Sequence, residues 1–403
     1  MNVFVAILGL GLLVLVHEAG HFLTARAVGM RPRRFYVGFP PPLAKIERNG
    51  IEYGLGAIPL GGYVKIPGMH RPAPSDVDMH FARALAEAPQ LLRPLERLKH
   101  RLAEGDMEDA RAALDDAERA LNDTGLSPPA LRAARRGVNE LRDALGRDAY
   151  WRQRIWKRIL VIFAGPGTNL LFAVLLFTVL FIISGGPVKS TIAAVDDDFP
   201  AAKAGLKKGD RLIAINGARV RPEDVSDRIA ASEGRPITLT VERDGTQVTI
   251  GPVEPRKDGN RYRVGLALDS GGLDPATATW RAIRLTGLVT REIGASLSRL
   301  VTGEGRKEIS SPVGIVQGSS KALEQGTETY LWVLGLISLS LALLNLLPLL
   351  PLDGGHIVFS IVEGIRGRSV GREVYERVSA VGIALVLLLF FIGLTNDVNR
   401  LGD

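Results

Sequence analysis

The sequence predicts a polytopic α-helical membrane protein: four spanning helices, a membrane-associated β-hairpin sheet, a charged helical insertion and a β-rich domain on the opposite side of the bilayer. Three observations predict it. Hydrophobic residues make up 46% of the 403, and mean hydropathy is positive although 23% of residues are charged. Four apolar stretches, residues 3–28, 159–183, 330–350 and 378–394, meet or approach the roughly 20 residues that a bilayer-spanning helix needs. The polar sequence between them changes character sharply, from turn-rich and β-branched to helical and charged, and back.

The first stretch is predicted to be a span rather than a removable signal. Its start, MNVF, carries no positive charge, and HEAGH stands where small residues should mark cleavage. Arg26, Arg31, Arg33 and Arg34 follow it; Arg152, Arg154, Lys157 and Arg158 precede the second span; Arg366, Arg368 and Arg372 lie between the third and fourth. By the positive-inside rule these flanks are cytoplasmic, so both chain ends and residues 185–329 face outward. The net charge of +7 is thereby used at the membrane rather than on nucleic acid. The chain has no cysteine, which excludes disulfides, thiolate ligands and cysteine nucleophiles.

Within residues 29–72, the run FYVGFPPPLAKIERNGIEYGLGAIPLGGYVKIPG alternates aromatic and β-branched residues with Asn-Gly, Gly-Gly and proline, the pattern of short hairpin strands. Its apolar residues recur on both faces, so protein or membrane should cover it. Residues 73–148 turn to Ala, Arg, Glu and Leu at helical spacing, interrupted near Pro89, Gly105 and Ser127-Pro128-Pro129, and predict two or three solvated amphipathic helices serving as a spacer. Residues 149–184 carry the second span. Residues 185–270 hold strand-like runs separated by turns, and residues 271–328 include an amphipathic stretch, 276–305, that predicts a helix lying on the outer membrane surface. The third span falls in 329–355 and the fourth in 356–403.

His17, Glu18 and His21 sit inside the first apolar stretch, where each is costly to bury. On a helix, residues four apart share a face, so both imidazoles can reach one zinc ion, with Glu18 beside them as a general base and acid for hydrolysis. A catalytic zinc needs a third protein ligand and an open position. Asp353, in the run NLLPLLPLDGGH at the predicted cytoplasmic end of the third span, lies at a matching depth; its rival is His356. His70, His80 and His100 belong to polar sequence and read as surface residues. A serine protease is disfavoured because no Gly-x-Ser-x-Gly is present, and an aspartyl protease because only Asp353 lies near a span.

These motifs together resemble the site-2 protease family of intramembrane zinc metalloproteases, in its bacterial branch. HEAGH, residues 17–21, and NLLPLLPLDGG, residues 345–355, match the family's two metal motifs. AGPGTN, 164–169, is similar to the signature of its second span, YGLGAIPLGGYVKI, 53–66, to its membrane hairpin, and SPVGI, 311–315, to a short motif before the third span. PAAKAGLKKGDRLIAING, 200–217, resembles the most recognisable stretch of a circularly permuted PDZ domain. The resemblance implies a multi-pass protein of the bacterial cell membrane, with His17, His21 and Asp353 on Zn2+ and Glu18 catalytic. It also implies Asn345 and Asn169 as supports of substrate or site, and Gly61 and Gly62 in a hairpin that clamps unwound substrate. The implied substrates are single-span membrane proteins already trimmed outside the membrane, such as an anti-sigma factor, or remnant signal peptides, with a peptide end taken by the PDZ-like domain. The non-enzyme alternative, a silent PDZ-bearing scaffold, leaves the intact His-Glu-x-x-His and its matching aspartate unexplained.

Overall fold

The computed structural model describes residues 2–259, 261–302 and 309–402. The chain divides into two compact units, Met1–Ala173 with Thr286–Asp403, and Val174–Leu285.

In the first unit, α1 (Asn2–Ala27) runs without proline through its apolar stretch. It ends where Gly29 takes φ +92, with the Met30 and Gly29 amides bonding back to the Ala25 and Arg26 carbonyls, a Schellman stop. Strands β1 (Arg34–Arg48) and β2 (Ile51–Lys65) form an antiparallel hairpin closed by Asn49 and Gly50, both at positive φ as a two-residue hairpin turn requires. These strands are long rather than short, and they curl. Residues Arg34 to Val37 pair with Glu52 to Leu55 on one side and with Lys65 back to Gly62 on the other. Phe39, Leu43, Ile46 and Leu55 are exposed along the hairpin, an apolar surface suited to lipid contact.

The insertion differs from the solvated spacer read in its sequence. Three breakers separate four helices: α2 (Pro74–Glu87), α3 (Leu92–Glu104), α4 (Met107–Asn122) and α5 (Pro128–Leu145). Leu95, Leu98 and Leu102, Leu114 and Leu121, and Val138, Leu141 and Leu145 recur at three- and four-residue spacing and bury a shared core. The bundle is fastened to the hairpin by Asp143, which pairs with Arg33 at 2.8 Å and with Lys65 at 3.0 Å, and by Asp148, 3.0 Å from Arg33.

Among the described residues, four helices are long and apolar enough to cross a membrane: α1, α6 (Ile155–Ser184), α11 (Thr327–Asn345) and α13 (Arg372–Gly402), its apolar stretch lying within Glu373–Arg400. The third is shorter than its sequence suggests. It stops at Asn345, residues 346–352 turn back, and Asp353 begins a separate helix, α12 (Asp353–Arg366). Pro348 and Pro351 account for the stop, since neither has an amide to extend the helical ladder. Gly354 and Gly355 let α12 start hard against this turn: a Cβ on either would lie 2.2 Å from the Leu346 carbonyl or 2.5 Å from the Leu350 amide. The helix α10 (Pro312–Glu324), unanticipated in the sequence, packs against α1, α11 and α13. SPVGI forms its N-terminus, where buried Asp397 of α13 accepts from the Ser311 and Gly314 amides.

In the second unit, β3 (Val188–Val195), β4 (Arg211–Ile215), β6 (Ile237–Arg243), β7 (Thr246–Val253) and β10 (Leu266–Ser270) form a sheet in the order β10-β3-β4-β6-β7, with β5 (Ala218–Arg219) paired to β4. The short helices α7 (Pro200–Lys203) and α8 (Val225–Ala230) accompany it, and β8 (Arg256–Asp258) and β9 (Arg261–Arg263) pair separately. Ile192, Leu212, Leu239 and Val241 centre its core. PAAKAGLKKGDRLIAING supplies α7, the turn at Gly209 and Asp210, and β4. Buried Asp210 accepts two hydrogen bonds from Arg243, each 2.7 Å, which hold its carboxyl below the usual carboxylate range. The amphipathic stretch lies in α9 (Pro275–Thr302), with Trp280, Ile283 and Leu288 exposed; residues 303–305 of that stretch fall outside the described residues.

Candidate metal centre and active site

Apolar helices bring the ionisable groups together because each arrives on a face that packs against another span. On α1, buried His17 and His21 stack edge to face, ring centroids 4.8 Å apart, toward α6. Two glycines make room for this. A Cβ on Gly20 would lie 2.4 Å from the Ala164 carbonyl, so α1 and α6 touch backbone to backbone, as small residues allow between spanning helices. A Cβ on Gly165 would lie 2.2 Å from His21 Nε2 and 2.8 Å from His17 Nε2, in the space where the two rings converge.

Asp353 completes the cluster from the first turn of α12. Its Oδ2 lies 3.2 Å from His17 Nε2 and 3.4 Å from His21 Nε2, which are 3.2 Å from each other. Among the described residues, these three side chains form the one group whose donor atoms all lie within 4.8 Å. Asp353 Oδ2 is buried with no hydrogen-bond partner despite its neighbours. Three lone-pair donors thus face a common centre, and two imidazoles with a carboxylate are a donor set that fits a divalent metal with one position left open.

The outer nitrogens of both rings are already engaged, which fixes which nitrogen can bind. His21 Nδ1 donates to the Val161 carbonyl of α6 at 2.8 Å, leaving the Nε2 lone pair for the centre. The Asn169 amide lies 3.4 Å from His17 Nδ1, and its Oδ1 is buried without a partner. Of the two amide orientations, the one that turns Oδ1 to His17 lets it accept the Nδ1 proton and frees Nε2 likewise. Asn169 is itself held in place, its carbonyl accepting from Ser338 of α11 at 2.8 Å.

Glu18, on the neighbouring face of α1, meets the hairpin: a Cβ on Gly62 would lie 2.3 Å from Glu18 Cγ. Gly61, at φ +95, takes a backbone conformation that side chains resist, and packs beneath the Phe39 ring. The other site candidates lie elsewhere. Asn345 ends α11, its amide donating to the Leu341 carbonyl of the same helix at 3.0 Å. His356, the rival ligand, turns to the Tyr375 hydroxyl at 2.5 Å and stands outside the three-residue group. His70 and His100 are exposed, and His80 pairs with Glu140 at 3.1 Å. Gly165, Gly20 and Val161 were not singled out in the sequence; AGPGTN pointed to the right turn of α6 but not to what its first glycine makes room for.

Comparison with known proteins places these observations. The profile of peptidase family M50 matches residues 5–389. The protein of Agrobacterium fabrum named "Putative zinc metalloprotease Atu1380" is 32% identical over 98% of this chain and 95% of its own length. "Zinc metalloprotease RasP" of Geobacillus kaustophilus is 30% identical over 97% and 96%, and "Probable protease eep" of Enterococcus faecalis 27% over 97% of each. A family match across nearly the whole chain, with relatives aligned end to end, means that this chain belongs to peptidase family M50, the site-2 protease family, and is a membrane zinc metalloprotease.

Proposed function

We propose that His17, His21 and Asp353 hold the zinc, that Glu18 is the catalytic acid and base, and that the enzyme cuts a peptide bond within the transmembrane segment of a single-span protein. The observation that carries this reading is the convergence of three metal-donor atoms, from opposite ends of the chain, at the junction of two spanning helices and α12. Zinc at such a site supplies a Lewis acid for the scissile carbonyl and brings the pKa of water toward about 7. Glu18 then takes the proton of the attacking water and delivers it to the leaving amine. His21 and His17 stay oriented through Val161 and Asn169.

A helical substrate hides its carbonyls in its own hydrogen-bond ladder and must be extended before attack. The edge of Gly62 to Lys65 turned away from Arg34 to Val37, beside Glu18, is where an extended segment can add as a strand. Gly61 and Gly62 keep that approach clear, and Asn345 at the end of α11 steadies the substrate backbone. The hairpin and the helical insertion lie on the cytoplasmic side of the bacterial cell membrane, consistent with the arginine-rich flanks, and the second unit lies outside as a PDZ-type domain. There it takes the end of a pre-trimmed substrate, such as an anti-sigma factor, or filters remnant signal peptides by size, in regulated intramembrane proteolysis.

The test is incubation of wild type and Glu18→Gln with a single-span substrate in liposomes. Cleavage should fall by about 10²- to 10⁴-fold while zinc content is kept; equal product from both would remove the proposed role of Glu18.

A further inference from the structure

A second polar cluster lies at the other end of α12. Arg158, in the first turn of α6, is nine-tenths buried, and its Nη2 donates to Glu363 of α12 at 2.6 Å. Its guanidinium carbon stands 4.9 Å from the Tyr150 ring centroid. The remaining oxygen of Glu363 accepts from the Val370 amide at 2.8 Å. Arg158 Nε has no partner, although an unpaired buried donor is costly.

Arg158 lines a cavity of about 400 Å³ that also receives Arg71 and Arg368, with His70, Trp151 and Tyr375 completing its walls. Among the described residues Glu363 is the one acid lining it, and both its oxygens are occupied by the bonds just described. Two further arginines therefore face the space without a carboxylate of their own in it. The place is the membrane surface: Ile155 begins α6, and residues 367–370 join α12 to the start of α13. Trp156 and Ile365, which follow the lining residues Ile155 and Gly364 in the chain, are 55% and 82% exposed, as apolar side chains beside lipid tails would be.

We propose that this cavity binds the phosphate of an anionic phospholipid headgroup. The charge is of the right sign, and guanidinium forks match phosphate oxygens bidentately. The acyl chains leave along Trp156 and Ile365. A lipid held there links the segment after the hairpin, the start of α6 and the α12–α13 turn. Free phosphate shares the headgroup's chemistry but gains nothing from the apolar flank.

The experiment is native mass spectrometry of the full-length protein in detergent, titrated with phosphatidylglycerol, phosphatidylcholine or inorganic phosphate, for wild type, Arg71→Gln/Arg368→Gln and the charge-keeping Arg71→Lys/Arg368→Lys. Wild type should prefer phosphatidylglycerol to phosphatidylcholine, and inorganic phosphate at equal concentration should not displace it. The glutamine pair should weaken phosphatidylglycerol binding by at least about tenfold, from the loss of two charges at the membrane surface, and the lysine pair by much less. If the glutamine pair fails to fold, the lipid preference and phosphate competition of wild type decide. Equal binding of both lipids, unchanged affinity in the glutamine pair, or full displacement by inorganic phosphate would overturn the proposal.

Discussion

The two ends of α12 dock on spanning helices through polar groups, the far end on α6 and the near end on α1, and they are built in opposite ways. At the far end, Glu363 meets Arg158 at 2.6 Å, so the chain supplies both signs of charge. At the near end, Asp353 meets His17 and His21, and the chain supplies three lone pairs converging on one point. Burial costs are similar in kind at the two places, because a charge taken out of water needs a partner. The first is met within the polypeptide, and the second, on the function proposed above, by zinc. A buried polar cluster thus marks a metal site when its own members leave it without a cation, and a structural joint when they do not.

Breaking the joint should therefore cost stability, and breaking the metal site should cost metal. Glu363→Ala leaves Arg158 buried and unpaired, and should destabilise the protein by about 3–5 kcal/mol. Thermal unfolding in detergent would read this, with the zinc retained at temperatures where the variant is folded. Asp353→Ala, made in the same background, should lose zinc yet leave the metal-free protein at least as stable as metal-free wild type, since it removes one of three crowded donors. A large loss of metal-free stability in Asp353→Ala would erase the distinction between the two clusters.

Asn169→Ala probes the edge of the metal site. It keeps all three donors and removes only the group that orients His17, so zinc affinity should weaken by about 10- to 100-fold rather than disappear. Competition with a chelator would measure it. Unchanged affinity would mean that His17 is held by packing alone.

The smallest effect is expected in the second unit, where Asp210 and Arg243 form a self-sufficient pair like that of Glu363. Arg243 lowers the folded-state pKa of Asp210. A depressed carboxylate pKa contributes stability above the unfolded value of about 3.9 and loses it as pH falls through the folded value. Protection from hydrogen exchange in β4 and β6, corrected for the intrinsic pH dependence of amide exchange, should accordingly fall once pH drops below about 4. In Asp210→Asn that acid sensitivity should be reduced, and an identical acid response in both proteins would remove the pair from the account.

The grouping of His17, His21 and Asp353 was legible in the sequence because the chemistry of such a cluster restricts residue identity. Histidines four apart in an apolar helix have few uses, and an aspartate beside a proline-broken span supplies what they lack. The parts that depend on shape were not legible. Gly165 matters for the space it leaves, which no local pattern announces. Helix α12 follows a turn that leaves apolar composition almost unchanged, so the third span read as longer than it is. Arg158 and Glu363 are 205 residues apart, and each reads alone as an ordinary charge at a span's end. The insertion showed its helical period but not its core, because Ala- and Leu-rich faces between arginines fit a packed bundle as well as solvated helices.

The most direct measurement of the central claim is the zinc content of purified full-length protein. Wild type and Glu18→Gln should each carry about one zinc per chain, and His17→Ala, His21→Ala and Asp353→Ala should each carry close to none. Zinc content unchanged in all three alanine variants would contradict the assignment of the site.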